Sequence, residues 1–349
     1  MSLRGRGSGC AVSGKIDNIE MKKNIAVVWG GYSSEKEISE KSARGIFSFI
    51  NKEKYNVFKV RIDRDGWEAE YEGVFYPINR NDFSFNTGTT NIPFDFAYIT
   101  IHGTPGEDGL LQGYFDMLQI PYSNCGVLAS ALTFSKFTCN NFLKSFGFKV
   151  ADSVVIYPGE QYDSAAIIDR LGLPLFVKPN IGGSSFATTK VKAVSQLQKA
   201  VADAFVEASE VMVESFVSGT EVTCGCFKTE KGFQHLPLTE VVTENEFFDY
   251  NAKYKGEVDE ITPARIPEST AHDIQQQTER IYNLVNAKGI IRADFIISNG
   301  VPVLLEVNTT PGMTETSFIP QQVRAAGLEM ANVMDAIIAY EYGKVRNND

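Results

Sequence analysis

A hairpin near the carboxyl end constrains the fold of this chain more than any other segment. Two apolar runs, GIIRADFIIS and VPVLLEVN, flank the dipeptide Asn299-Gly300. This dipeptide strongly favours the two-residue turn that joins antiparallel strands. The sequence therefore predicts that the two runs pair as neighbouring strands of one sheet.

Polar side chains interrupt both apolar runs at matching intervals. Arg292 and Asp294 are two residues apart on the first run, and Glu306 and Asn308 are two apart on the second, so each pair projects from one face. Burying carboxylates without compensation costs several kcal/mol, and a hard divalent cation with oxygen ligands removes that cost. The patch indicates a metal site, although a structural salt bridge from Arg292 to a carboxylate would also satisfy the spacing.

Strand and helix patterns alternate in the first part of the chain. The run Asn24–Trp29 is continuously apolar and ends in Gly30-Gly31, which is typical of a buried parallel strand followed by a tight turn. A helical pattern follows, and Tyr55–Ile62 and Phe96–Ile101 are the next strand candidates. This alternation predicts an α/β lobe.

The length of 349 residues indicates two or three lobes. We expect an N-terminal α/β lobe at 21–122, a central lobe at 123–208, and a C-terminal lobe with the metal and substrate site at 209–349. Residues 1–20 are polar, rich in Gly and Ser, and lack the apolar core of a signal peptide, so we expect a leader that is disordered or foreign to the native domain.

Charge and cysteine usage exclude several classes of protein. Lys and Arg number 33 and Asp and Glu number 43, so the net charge is 33 − 43 = −10. A protein that binds nucleic acid would instead need a basic face. No apolar run is long enough to cross a membrane. Five cysteines occur without a C-x-x-C pair, so we expect buried, reduced thiols and a cytoplasmic protein.

A glycine-rich segment follows a strand that ends in a lysine. Lys178 precedes Pro179 and the run NIGGSSFA, whose backbone N–H groups and hydroxyls can surround phosphate oxygens. The segment matches neither G-x-x-x-x-G-K-[ST] nor GxGxxG. A flexible surface turn is the alternative interpretation.

Three further polar residues stand within or at the end of apolar strands. Glu214 and Glu221 could accept hydrogen bonds from a ribose or an amine, or occupy exposed edge positions. His102 follows the apolar run FAYITI, at the strand end where open α/β sheets bind ligands. A core histidine with a local hydrogen bond is the other interpretation.

Taken in order, these segments resemble the D-alanine–D-alanine ligase family of ATP-grasp enzymes. The resemblance runs from Met21 to about Gly343 and rests on the segments GGYSSEKEIS, HGTPGEDGLLQG, VKPNIGGSS, FDYNAKY, IRADF, LLEVNTTPGMT and SFIP. It implies a mixed α/β and α+β chain with the three-lobed ATP-grasp fold and a Rossmann-like N-terminal lobe.

The resemblance also implies roles for individual residues. ATP would contact Lys136, Lys178, Glu214 and Glu221, and its phosphates would contact Ser185 and Lys253. Two Mg²⁺ ions, for which Mn²⁺ could substitute, would bind Asp294, Glu306 and Asn308. Glu35 and His102 would face the first D-alanine. The second amino acid and the reacting carbonyl would face Arg292, the Gly312 N–H, Ser317 and Phe318. Tyr254 would bridge to Glu35 and Ser184 and close a loop at 247–261 over the site.

Some positions depart from the commonest family pattern. Gly182, Phe186 and Ala187 differ from the usual residues of the phosphate loop, and Phe318 replaces a usual leucine beside the second substrate. None of these changes removes a charge or a donor that the implied chemistry needs.

The activity implied is ligation of two D-alanine molecules through an acyl phosphate, for peptidoglycan synthesis, by a homodimer that assembles through the first lobe. A ligase that accepts D-lactate or D-serine as second substrate, a different ATP-grasp ligase and a non-catalytic nucleotide-binding protein remain alternatives. Tyr254 favours D-alanine, because a neutral side chain does not repel an incoming ammonium as a partly cationic histidine would.

Overall fold

A computed structural model describes residues 22–183, 187–243 and 258–346. Among these residues, the first lobe holds a seven-stranded sheet in the order β6-β5-β4-β3-β2-β1-β7. Strand β1 pairs in parallel with β2 and β7, whereas β2 to β6 form an antiparallel meander. Its elements are β1 (Lys23–Gly30), α1 (Lys36–Phe49), β2 (Tyr55–Ile62), β3 (Trp67–Tyr71), β4 (Val74–Asn79), β5 (Ser84–Asn86), β6 (Asn91–Pro93), β7 (Phe96–Ile99) and α2 (Leu110–Met117).

A four-stranded antiparallel sheet forms the middle of the molecule, in the order β10-β9-β11-β8. Its inward side chains pack against the helix formed by Val194–Ala204, and they include Leu175, Val177, Val211 and Val213. The elements of this sheet and its helices are β8 (Ser153–Ile156), α5 (Ser164–Leu171), β9 (Leu175–Pro179), β10 (Thr189–Val191), α6 (Val194–Ala204) and β11 (Val211–Ser215).

The third sheet has the order β15-β14-β12-β16-β17, with β13 beside β12. The predicted hairpin is present as β16 and β17, and Asn299 and Gly300 turn it with φ of 50° and 79°. The elements are β12 (Thr220–Thr229), β13 (Gly232–His235), β14 (Thr239–Thr243), β15 (Val258–Ile261), α7 (Glu268–Leu284), β16 (Ile290–Ser298), β17 (Val301–Asn308), α8 (Phe318–Ala325) and α9 (Met330–Arg346).

Two segments pack outside the lobe in which the sequence placed them. Strand β11 belongs to the central sheet, although residues 209–349 were expected to form the C-terminal lobe. Helices α3 (Val127–Phe134) and α4 (Lys136–Ser145) pack in the core of the third sheet, against β17. An apolar pattern identifies a strand or a helix but not its partner, so the limits at 122 and 208 remain a prediction.

Helix α1 rests on the loop that follows β17 and so joins the first lobe to the third. A Cβ atom at Gly45 would lie 2.1 Å from the Met313 carbonyl oxygen, which requires glycine at this contact. The Met313 N–H donates to Ser42 Oγ at 3.4 Å. This contact brings the end of β1 and the end of β17 to the same side of the molecule.

The expectation of buried, reduced cysteines is confirmed for the four that the structure describes. Cys125, Cys139, Cys224 and Cys226 are free and buried, and burial raises the pKa of the first three to about 12. In the described part of the chain, no helix has both the length and the apolar character needed to cross a membrane.

Candidate active site

A cavity of about 800 Å³ lies where the three sheets meet. The first lobe lines it with Glu35 and Gly103, and the central sheet with Lys178, Glu214 and the glycine-rich segment. The third sheet contributes Glu221, Arg292, Asp294, Glu306 and Phe318. Most of the candidate residues that the structure describes therefore share one cavity.

The polar patch on the hairpin forms as its spacing predicted. Arg292 pairs with Asn308 and Asp294 with Glu306 across the ladder, and a register shift follows Asp294. The Arg292 guanidinium donates to both Asp294 oxygens, each at 2.8 Å, with both residues only 8% exposed. Burial alone would lower the pKa of Arg292, but the Asp294 carboxylate raises it above its ordinary value. The salt bridge from Arg292 to a carboxylate, which the sequence left as an alternative, is therefore present.

The same patch offers the donor set of a magnesium site. Asn308 Nδ2 donates to Asp294 Oδ2 at 3.0 Å and to Glu306 Oε1 at 3.5 Å, so the amide lies beside both carboxylates. Over residues 22–183, 187–243 and 258–346, three or more His, Cys, Asp or Glu side chains do not gather anywhere to hold a metal on their own. Mg²⁺ commonly takes one or two carboxylates and completes its shell with substrate phosphates and water. Two carboxylates and an amide oxygen fit that pattern.

A buried ion pair forms the opposite wall. Lys178 Nζ lies 2.5 Å from Glu214 Oε1, and both side chains are largely buried. Burial lowers the pKa of Lys178, but Glu214 and then Glu306 raise it above the ordinary value, so the lysine stays charged. Glu214 Oε2 is buried with no hydrogen-bond partner in the described chain. That oxygen can accept a hydrogen bond from a ligand hydroxyl or amine.

Lys136 connects the glycine-rich segment to the hairpin. Its Nζ donates to the carbonyl oxygen of Gly182 and lies 3.5 Å from Glu306 Oε2. Because Lys136 begins α4, the helix and the segment after β9 are held together at the cavity. The Lys136 cation thus lies between the glycine-rich segment and the Glu306 carboxylate of the hairpin.

Glu35 and His102 take different positions at the first-lobe end. Glu35 is buried, and a Cβ at Gly183 would lie 2.8 Å from its Oε1, so the glycine-rich segment closes directly over this carboxylate. His102 Nε2 lies 3.3 Å from Ser42 Oγ, the local hydrogen bond that the alternative interpretation required. Its ring is held beside the cavity, which is lined by the following residue, Gly103.

The turn before α8 lies beside the cavity, which is lined at this end by Arg292 and by Phe318, the first residue of the helix. Ser317 Oγ bonds to the N–H of Thr314 at 3.1 Å and to its hydroxyl at 2.8 Å. A Cβ at Gly312 would lie 3.0 Å from Ser317 Oγ, so the Gly312 backbone passes directly beside this hydroxyl. The Phe318 ring faces the Arg292 guanidinium at 5.2 Å.

Some predicted residues lie outside the described part of the chain. They are Ser184, Ser185, Phe186, Lys253 and Tyr254. The roles implied for them remain predictions.

Sequence reasoning assigned no role to Glu107, a residue of the segment HGTPGEDG. Its Oε2 accepts the Gly103 N–H at 2.7 Å and so fixes the loop that carries His102. Burial, and then the nearby charge of Glu35, raise the pKa of Glu107 to about 8. The only signal in the sequence was the position of Glu107 in the segment that also holds His102. An acidic residue in such a loop is usually exposed, so nothing in the sequence indicated this contact.

Comparisons with known proteins agree with this geometry. The family model described as D-ala D-ala ligase N-terminus matches residues 24–125, and the one described as D-ala D-ala ligase C-terminus matches residues 142–339. A D-alanine–D-alanine ligase of Parabacteroides distasonis is 60% identical over 323 residues, which cover 92% of this chain and 98% of the relative.

Solved structures show the same similarity. The VanG D-Ala:D-Ser ligase from Enterococcus faecalis superposes with a TM-score of 0.80 at 31% identity, over 92% of this chain and 100% of that one. The D-alanine–D-alanine ligase from Bacillus anthracis complexed with ATP gives a TM-score of 0.76 at 26% identity, over 94% of this chain and 100% of that one.

The raised pKa of Glu107 predicts a pH-dependent stability. Folded Glu107 keeps its proton up to about pH 8, whereas the carboxyl in the unfolded chain loses it near the ordinary value of 4.5, so folding takes up a proton between these limits. This contribution to the free energy of unfolding is complete below pH 4.5 and is lost as the pH rises towards 8. Glu107→Gln should flatten the decline, as measured by urea unfolding from pH 5 to 8. The exposed Glu37→Gln variant is the control, and an unchanged slope in Glu107→Gln would contradict the assignment.

Proposed function

The chain belongs to the D-alanine–D-alanine ligase family, and we propose from its cavity how its own residues carry out the ligation. It is an ATP-dependent ligase of the ATP-grasp fold that joins two D-alanine molecules for peptidoglycan synthesis, as the sequence predicted. The observation that best supports the residue roles is the convergence of the Arg292–Asp294 pair, the Lys178–Glu214 pair and Glu35 on one cavity.

Three elements would bind the nucleotide. Lys178 and Lys136 supply positive charge at the glycine-rich segment, whose backbone N–H groups suit phosphate oxygens. Glu214 Oε2 has an unused acceptor, which suits a ribose hydroxyl or an adenine amine, and Glu221 lines the same cavity. Ser185 and Lys253 would add phosphate contacts, by the family resemblance alone.

The metal site would use Asp294, Glu306 and Asn308, with Mg²⁺ as the natural ion and Mn²⁺ as a substitute. Bound cations supply neutralisation of charge on the transferring phosphoryl group. Two protein cations already balance the carboxylates, since Arg292 bonds to Asp294 and Lys136 lies 3.5 Å from Glu306. Those contacts offset part of the negative charge of the two carboxylates before a metal ion binds.

The reaction would proceed in two displacements. A carboxylate oxygen of the first D-alanine attacks the γ-phosphorus of ATP, the bond to the bridging oxygen breaks, and ADP leaves. The amine of the second D-alanine then attacks the carbonyl carbon of the acyl phosphate, loses a proton, and expels inorganic phosphate. Glu35 and His102 would hold the first substrate, while Arg292 and the Gly312 N–H would stabilise the oxyanion of the tetrahedral intermediate. Ser317 and Phe318 would border the second substrate.

The partners and the compartment are also part of the proposal. A homodimer is supported by an apolar face on α2 and α3, where a Cβ at Gly113 would lie 3.6 Å from Val127 Cγ2 and so couples the two helices. On this face Leu110 is 64% exposed, Met117 80% and Leu128 76%. A second copy of the chain could cover these side chains.

The free thiols are compatible with a reducing cytoplasm, which we propose as the compartment.

The identity of the second substrate is tested by the product. One solved structure with 31% identity is named a D-Ala:D-Ser ligase, so the acceptor must be determined directly. With ATP, Mg²⁺ and a mixture of D-alanine, D-serine and D-lactate, we expect D-alanyl-D-alanine as the main product by mass spectrometry. Phosphate release should require D-alanine. A dominant depsipeptide or D-alanyl-D-serine, or phosphate release independent of D-alanine, would refute this function.

Arg292 should matter for chemistry more than for ATP binding. Arg292→Ala removes a donor to the oxyanion, and we expect kcat to fall about a hundredfold or more with the KM for ATP nearly unchanged. Circular dichroism checks that the variant is folded, and Arg61→Ala, which breaks an ion pair with Glu68 in the first sheet, is the control. A loss expressed only in the KM for ATP would instead make Arg292 a phosphate ligand.

The apolar face on α2 and α3 should control the oligomeric state. Leu128→Glu introduces charge into the face, so we expect the wild type to be a dimer and the variant a monomer by size-exclusion chromatography with light scattering. Val206 is 81% exposed beyond the end of α6, and Val206→Glu is the matched control. A monomeric wild type, or a dimer that persists in Leu128→Glu, would contradict the proposed interface.

A further inference from the structure

Gln322 is a fully buried amide on the inner face of α8. Its Oε1 accepts the Gly225 N–H at 3.0 Å, and its Nε2 donates to the Thr223 carbonyl oxygen at 3.0 Å and to Thr239 Oγ1 at 3.1 Å. The side chain has no measurable exposure to solvent. Both the oxygen and the nitrogen of this buried amide are hydrogen-bonded. Loss of these partners would be costly, because a buried polar group without a hydrogen bond destabilises the fold.

The amide occupies the point where β12 changes its neighbour. Residues Glu221–Thr223 pair with β14, whereas Cys226–Thr229 pair with β13. At the end of the first ladder the Thr223 carbonyl oxygen accepts from Gln322, and in the gap before the second ladder the Gly225 N–H donates to Gln322. One acceptor and one donor of the amide replace the peptide group that a continuous strand would provide.

The two backbone positions that Gln322 binds lie opposite Arg292 and Asp294, which belong to the strand on the other side of β12. In the ladder between β12 and β16, Gly225 lies opposite Arg292 and Thr223 lies opposite Asp294. Helix α8 is therefore attached to the strand positions that lie opposite Arg292 and Asp294.

Gly225 brings the helix close to the sheet. A Cβ there would lie 2.5 Å from Ile319 Cδ1 and 2.7 Å from Gln322 Oε1, so a larger residue would push on both of these side chains of the helix. The first turn of the same helix carries Phe318, whose ring faces the Arg292 guanidinium at 5.2 Å. The contact of α8 with β12 thus sets the spacing between Phe318 and Arg292.

We propose that Gln322 is a positioning residue for the second D-alanine, which it serves by fixing the first turn of α8, with Ser317 and Phe318, against the strand that holds Arg292. The inference rests on the proposed assignment of these three residues to the second substrate. Gln322 itself touches no substrate and acts through the helix and the sheet.

The test separates the two D-alanine sites kinetically. At saturating ATP, initial rates over a wide range of D-alanine concentrations give one constant for the first and one for the second D-alanine. In Gln322→Met, which keeps the length and removes the polar atoms, we expect the constant for the second D-alanine to rise about tenfold, the scale of one lost hydrogen bond. The KM for ATP and the constant for the first D-alanine should stay within about twofold.

Milder variants guard against loss of folding. Thr239→Val removes one of the three hydrogen bonds of Gln322, together with the bond between the hydroxyls of Thr239 and Thr262, and should raise the same constant less than Gln322→Met does. Gly225→Ala keeps every hydrogen-bonding group but pushes on Ile319 and on the amide oxygen of Gln322, and it should raise the constant as well. If Gln322→Met does not fold, these two variants decide the question. Gln277→Met, on the exposed side of α7, is the matched control for the substitution.

The outcomes distinguish the possible failures. A lower Tm with all kinetic constants unchanged, or a proportional loss in every constant, would overturn the positioning role and leave Gln322 as a purely structural residue. Ser317→Ala and Phe318→Ala test the underlying assignment separately. If they leave the constant for the second D-alanine unchanged, the proposed second-substrate site is wrong, whatever Gln322 does.

Discussion

The buried ion pair between Arg292 and Asp294 is the interaction on which the rest of the site depends. Both side chains project from the strand β16, and removing one partner from such a pair typically costs about 3–5 kcal/mol, because the other charge stays buried. The same need to pair a charge inside the protein accounts for the ion pair between Lys178 and Glu214 and for the position of Lys136 beside Glu306. Each of these three carboxylates in the cavity has its own cation, which offsets the cost of holding their charges in a confined space.

The sequence specified local geometry well. Period-two alternation placed Arg292, Asp294, Glu306 and Asn308 on one side of the hairpin, and the turn at Asn299-Gly300 fixed which residues lie opposite. These properties depend on neighbours in the chain, so composition and spacing determine them. The cysteines and the first parallel strands were predictable for the same reason.

Long-range pairing was not predictable in this way. The pattern of β11 marks a strand, but its place between β8 and β9 depends on side chains far away in the sequence. Glu107 and Gln322 show the same limit at the level of single residues. An acidic residue in a glycine-rich loop and a glutamine in an amphipathic helix are ordinarily exposed, and only the folded chain surrounds them with backbone partners.

The two ends of the cavity therefore differ in how they are built. At the first-lobe end, Glu35 and His102 lie on loops, and their positions depend on contacts such as Ser42 and the Glu107–Gly103 hydrogen bond. At the other end, Arg292 lies in the interior of a sheet and Phe318 on a helix fastened to that sheet. A loop-built end can admit substrate and close over it, whereas tetrahedral addition needs its oxyanion donor in a fixed position. The division matches the proposed chemistry, because the residue proposed to stabilise the tetrahedral intermediate lies at the end that the sheet and helix α8 hold in place.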